Sequence, residues 1–142
     1  MSKKIIFLTL SLLTALVLFA ACSRPTNVRE FFDANADEFQ ELVDEMNAEA
    51  AAMSAAFGID ISINLEIRGN DTLVYNFVYG PDTQFDPGVE AELEAQIALM
   101  ADFQTEMAQE MRNAMRIDTL YILVRYLDSN GRVLAEGTFS GH

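Results

Sequence analysis

Two stretches of hydrophobic alternation constrain this chain more than anything else in it. Each doubles back at a turn containing Gly and Asn, and each follows a long amphipathic run. Ile61, Ile63, Leu65 and Ile67 alternate with Ser62, Asn64, Glu66 and Arg68. Period two with one polar face is the pattern of a half-buried strand. Gly69-Asn70 then supplies a tight hairpin turn. Leu73, Tyr75, Phe77 and Tyr79 form one face of the return strand, with Val74, Asn76 and Val78 on the other. The second stretch repeats the scheme. Asp118 to Leu127 is strongly β-forming, Asp128-Ser129-Asn130-Gly131 predicts a turn of the primed type, and Arg132 to Phe139 returns.

The intervening runs have helical period. Val28, Phe31, Phe32, Phe39, Leu42, Val43, Met46, Ala50, Met53 and Phe57 recur at spacings of three, four and seven, which makes one apolar stripe. Asn27 with Glu30 predicts a capping box, and Asn35 with Glu38 a second, so a break is expected near Asp33-Ala34-Asn35. Gly58 fits the left-handed residue that closes a helix. Farther on, Asp86 is a candidate cap with Pro87 in the first helical position. Val89, Leu93, Ile97, Met100, Phe103, Met107, Met111 and Met115 mark the second buried stripe. The expected order is therefore α-β-β-α-β-β. That is an α+β fold, a four-stranded antiparallel sheet with two helices packed on one face. Residues matching at an offset of 58 (Phe39 with Ile97, Leu42 with Met100, Met53 with Met111, Asp60 with Asp118) raise the expectation of a duplicated αββ unit.

The first 22 residues follow different rules. Lys3 and Lys4 precede a nearly unbroken apolar run from Ile5 to Phe19, then Ala20, Ala21 and Cys22. A basic start, an apolar stretch and small residues describe a secretory signal, and the run is short for a membrane span. Leu18-Phe19-Ala20-Ala21-Cys22 resembles the lipobox of bacterial lipoproteins, although Phe19 stands where Leu is usual. The resemblance implies that Cys22 is acylated and becomes the mature N-terminus. The expected organisation is a signal peptide over 1–21, a lipidated tether over 22–27 and one α+β domain over 28–142. The lone Cys falls where this chemistry needs a thiol. Two or more acyl chains then hold stably where one does not.

The segment Leu73-Val74-Tyr75-Asn76-Phe77-Val78-Tyr79 and the Tyr126-Leu127-Asp128-x-x-Gly131 turn within Val124 to Phe139 resemble a family of small Gram-positive bacterial lipoproteins, known only as a domain of unknown function. The resemblance covers most of the mature chain. It implies the same helix–hairpin order and an extracytoplasmic, membrane-anchored location. It brings no catalytic residues.

Charge and rare residues narrow the function classes. The mature chain keeps seven Arg against 22 acids, a net charge of −15. Too little basic charge is left to displace counterions from nucleic acid. One Cys makes no internal disulfide or cysteine zinc cluster, and the single His is the last residue. Asp33-x-Asn35-x-Asp37 opens like a calcium loop, but Glu38 stands where the turn needs Gly and Asp44 where a bidentate Glu is required. It reads as a solvated helix start. Met107, Met111 and Met115 could offer thioethers to Cu(I), but they coincide with the buried stripe and read as core. Glu90, Glu92, Glu94, Asp102, Glu106 and Glu110 mostly avoid that stripe and read as a solvated face. Paired carboxylates for an envelope hydrolase are the weakest alternative. No cofactor, metal site or nucleic-acid partner is expected.

One feature points to an interaction. If Leu120, Ile122, Val124 and Tyr126 face the helices, then Tyr121, Leu123, Arg125 and Leu127 face away, together with Val74 and Val78. A half-apolar sheet face with Tyr and Arg has the composition of a docking surface. The expected function is a non-enzymatic binding or accessory module of the outer membrane face, with a protein partner on that sheet. A homodimer through the same face is the alternative.

Overall fold

The computed structural model describes residues 27–141. The apolar leader, Cys22 and the tether up to residue 26 lie outside the described residues. Four helices and four strands follow one another: α1 (Val28–Ala34), α2 (Ala36–Phe57), β1 (Ile61–Arg68), β2 (Thr72–Tyr79), α3 (Val89–Leu99), α4 (Ala101–Met115), β3 (Tyr121–Leu127) and β4 (Val133–Ser140). The α+β class holds, but the two helices of the expected α-β-β-α-β-β order are four: the first run breaks where the sequence predicts and the second where it does not.

The first break falls where the sequence places it. Asn27 caps α1, its Oδ1 accepting from Glu30 N at 2.9 Å. Asn35 does not cap α2. Its Nδ2 instead donates back to Phe31 O at 2.7 Å, closing α1. Phe31, Phe32 and Phe39 pack their rings across the joint, with centroids 5.1 and 4.3 Å apart. α2 ends at Gly58 in the left-handed region, φ +70°.

The second break, at Met100, has no Gly or Pro to announce it. A straight helix over residues 89–115 would run ~40 Å at 1.5 Å per residue. Eight-residue β4 spans only ~27 Å. Bending lets α3 and α4 both lie on β4, and Leu99 is turned out to solvent at the bend, 81% exposed. α3 also starts later than the Asp86-Pro87 signal. Its cap position is Gly88, with no side-chain cap, and the Asp86 carbonyl accepts from Val89 N at 3.1 Å.

The sheet order is β1-β2-β3-β4. Both hairpins are antiparallel as expected, but β2 and β3 run parallel, Thr72 beside Tyr121 and Val78 beside Leu127. The sheet is mixed, not antiparallel throughout. The physical cause is the connection: α3 and α4 carry the chain back along the sheet, so β3 starts beside the start of β2. A parallel pair requires such a crossover. The topology also argues against a duplicated unit. Seen from the helix side with its first strand pointing up, one hairpin steps left to its second strand and the other steps right. No rotation superposes them, so the offset of 58 reflects shared patterning.

One core spans both halves. Ile61, Ile63, Leu73, Tyr75, Phe77, Tyr79, Ile122, Val124, Tyr126 and Phe139 meet Leu42, Met46, Ala50, Leu93, Met111 and Met115. Each large apolar side chain so buried contributes ~1.5–3 kcal/mol. Phe77 and Tyr126 stack at 5.2 Å across the parallel pair. Gly137 of β4 leaves room for Ile97 of α3, and any Cβ there would collide with Ile97 Cγ2. The second turn differs in type from the expectation. Gly131 alone takes positive φ, +83°. The Asp128 carbonyl accepts from Gly131 N at 3.1 Å, which makes a type I turn closed by a left-handed glycine.

Candidate functional site

The described helices cover one face of the sheet, and the candidate surface is the other. Registers lay it out in four rows. Ser62, Val78 and Leu127 form the first, and Asn64, Asn76, Arg125 and Glu136 the second. Glu66, Val74, Leu123 and Thr138 form the third, and Arg68, Thr72, Tyr121 and Ser140 the fourth. All six residues assigned to this face by alternation (Val74, Val78, Tyr121, Leu123, Arg125 and Leu127) do lie on it together. Val74 is fully buried, so it offers nothing to a partner, and the other five are half-buried.

The centre of the face is polar, which alternation alone did not single out. Arg125 lies flat along the second row. Its Nε donates to Asn76 Oδ1 at 2.8 Å and its Nη2 to Glu66 Oε1 at 3.4 Å. Arg68 Nε also reaches Glu66 Oε1, at 3.3 Å. Asn76 is only 4% exposed. A buried amide without a partner would be costly; the arginine supplies one. Three strands are thus tied by one guanidinium, flanked by Leu123, Leu127 and Tyr121. The signal for this network was the polar side of the β1 alternation. What the sequence lacked was the β2–β3 register that brings Asn76 beside Arg125.

The other candidates are separated from any site. Met111 and Met115 are fully buried and Met107 half-buried, all against the sheet. Asp33 and Asp37 are exposed at the α1–α2 joint. Among the described residues, no group of three or more His, Cys, Asp or Glu side chains is placed to hold a metal ion. An open groove at the start of α3 is lined by Asp86, Glu90, Glu94 and Arg132. Its acids come from one stretch of chain, and Glu90 is held by Arg132 at 2.9 Å. An inner cavity of about 10 Å³ beneath the α3–α4 bend touches Gln96, Gln104 and Tyr126. It has room for one water molecule and no substrate. Tyr75 and Tyr79 lie deep in the core, where burial pushes both hydroxyls well above the ordinary tyrosine range. The described residues of the second face set half-buried apolar groups around an anchored arginine.

Residues 28–139 match a family model described as Domain of unknown function (DUF4854). The chain belongs to this family. The match covers both helix–hairpin units, so the mixed sheet and its second face lie within the family domain. Neither the curated proteins nor the solved structures contain a significant match. Among the described residues, no helix is long and apolar enough to cross a membrane.

Proposed function

We propose that the mature chain is a lipid-anchored, extracytoplasmic binding module, acylated at Cys22, whose protein partner docks on the sheet face opposite the helices. The carrying observation is that face. Its middle is a guanidinium already fixed by Asn76 and Glu66, ringed by half-buried Tyr121, Leu123, Leu127 and Val78. Docking on preorganised side chains loses little rotamer freedom, and Tyr and Arg are the residue types that carry interface energy. The lipobox-like Leu18-Phe19-Ala20-Ala21-Cys22 supports the anchor, as does the likeness to small Gram-positive lipoproteins.

Two experiments test the two halves of the reading. Labelled palmitate is expected to enter the full chain and not its Cys22→Ala variant; label in that variant overturns the anchor. A photo-crosslinker at Thr138 is expected to capture a partner in intact cells. The Tyr121→Asp, Leu123→Glu double variant should lose that adduct with an unchanged circular dichroism spectrum. An adduct that survives the double variant overturns the docking face. If the adduct is a second copy of the chain, light scattering will show a dimer, and the face serves self-association.

A further inference from the structure

We propose that the end of the domain where the chain runs into α1 is a membrane-facing surface, on which Arg29, Arg68, Arg112 and Arg116 meet the phosphates of anionic phospholipid. The inference rests on acylation of Cys22. It adds to that reading an orientation and a lipid chemistry.

Three segments converge at this end. Val28 N donates to Asn70 O at 3.1 Å, which ties the start of α1 to the β1–β2 turn. Arg29 clasps the same turn, Nε to Gly69 O at 2.7 Å and Nη2 to Ile67 O at 3.1 Å. Tyr121 N donates to Asp71 O at 2.8 Å and brings in the α4–β3 connection, where Arg112 Nη1 reaches Asp118 O at 3.4 Å. With Glu66, which Arg68 contacts, these segments carry four arginines and four acids (Glu30, Glu66, Asp71 and Asp118), whereas the other described residues carry Arg125 and Arg132 against the remaining eighteen acids.

Pairing separates the two groups further. Away from this end, each arginine is matched by carboxylate: Arg125 by Glu66, and Arg132 by Glu90 and Asp128. At this end, among the described residues, only Arg68 is, through Glu66. Arg29 and Arg112 donate to backbone carbonyls, which leaves their charge uncancelled, and Arg112 Nε is buried without a hydrogen-bond partner among the described residues. Arg116 is exposed and, among the described residues, meets no carboxylate within 4 Å. It also occupies the left-handed closing position of α4 at φ +58°, the position Gly58 fills for α2. A long cationic side chain there is retained against backbone preference.

Geometry and charge agree on the orientation. Residues 23–27 reach at most ~17 Å when extended, so an acylated Cys22 holds this end close to the head groups. Screening over ~8 Å lets the local arginines act separately from the distant acids. Anionic head groups attract the first and repel the second, so the β3–β4 turn points outward.

The test uses the acylated full chain in vesicles of phosphatidylglycerol with phosphatidylcholine, and of phosphatidylcholine alone. A fluorophore is placed through Asn70→Cys or Asn130→Cys, and quenching by head-group spin-labelled lipid is read. In phosphatidylglycerol the Asn70→Cys label is expected to quench several-fold more than the Asn130→Cys label. The difference should shrink at high salt, in phosphatidylcholine, and in an Arg68→Gln, Arg116→Gln variant with an unchanged circular dichroism spectrum. Equal quenching at both positions, or no response to lipid charge, salt and the arginines, overturns the proposal while the anchor stands. Arginine-dependent protection by soluble polyphosphate but not by vesicles also overturns it and assigns the end to a wall-type polyanion. Failure of the wild type to float with any vesicle defeats the anchor itself.

Discussion

At the level of single residues the β3–β4 turn is the best determined part of the chain. Asp128 Oδ1 accepts from Asn130 N and Arg132 N, each at 2.9 Å. Gly131 then takes φ +83° with nothing within 4 Å of where a Cβ would lie. Space is not the constraint there; backbone angle is. Gly131→Val is expected to cost about 1–2 kcal/mol, seen as a lower thermal midpoint with the fold retained. The Arg132 backbone N–H, helped by that of Asn130 and by the Arg132 guanidinium, holds the Asp128 carboxyl below the usual carboxylate range. A depressed folded-state pKa stabilises above the unfolded value of ~3.9 and is lost as pH falls through the folded value. The stability gap between wild type and Asp128→Asn is therefore expected to be full near neutrality and to close below about pH 4. Denaturant titrations at several pH values check this, and a gap that widens on acidification would contradict it.

At the level of elements, the sheet has two edges, β1 and β4, and α2 guards one of them. Asn47 presents its carboxamide to β1 as a neighbouring peptide would. Its Oδ1 accepts from Ile63 N at 2.8 Å, and its Nδ2 donates to Ile63 O at 2.9 Å. An unpaired strand edge invites pairing with other chains. Asn47→Ala leaves both Ile63 groups without that partner. It is expected to lower stability by about 1–3 kcal/mol and to increase aggregation, measured by light scattering on incubation. Among the elements, strands were the more legible. Alternation grouped Tyr121, Leu123, Arg125 and Leu127 on one face, because a period of two fixes which residues share a side. With both sides of β3 largely apolar, it is Arg125 and the register with β2 that mark this side as the one away from the helices. Helices were legible in their stripes and less so in their ends. The bend at Met100 answers to the length of β4, which no local residue encodes.

For the molecule as a whole, the decisive contact is the parallel pair β2–β3. β2 is enclosed by β1 on one side and β3 on the other, and Tyr75, Phe77 and Tyr79 are fully buried. Each helix–hairpin half therefore lacks half the walls of its own core. A fragment of residues 28–80 is expected to show no cooperative thermal transition by circular dichroism, whereas residues 28–142 melt in one. A cooperative melt of the fragment would show that the halves are independent units.

The amino-acid sequence by itself determined the class of every strand, both hairpins, the first helix joint and which side chains share a sheet face, because these follow from local period and turn chemistry. Only the tertiary structure decided how the halves meet. The parallel β2–β3 pairing, the Arg125–Asn76–Glu66 network and the gathering of arginines beside the β1–β2 turn join residues some 40 to 60 positions apart. Nothing in a local window carries the register between strands that a helical crossover brings together.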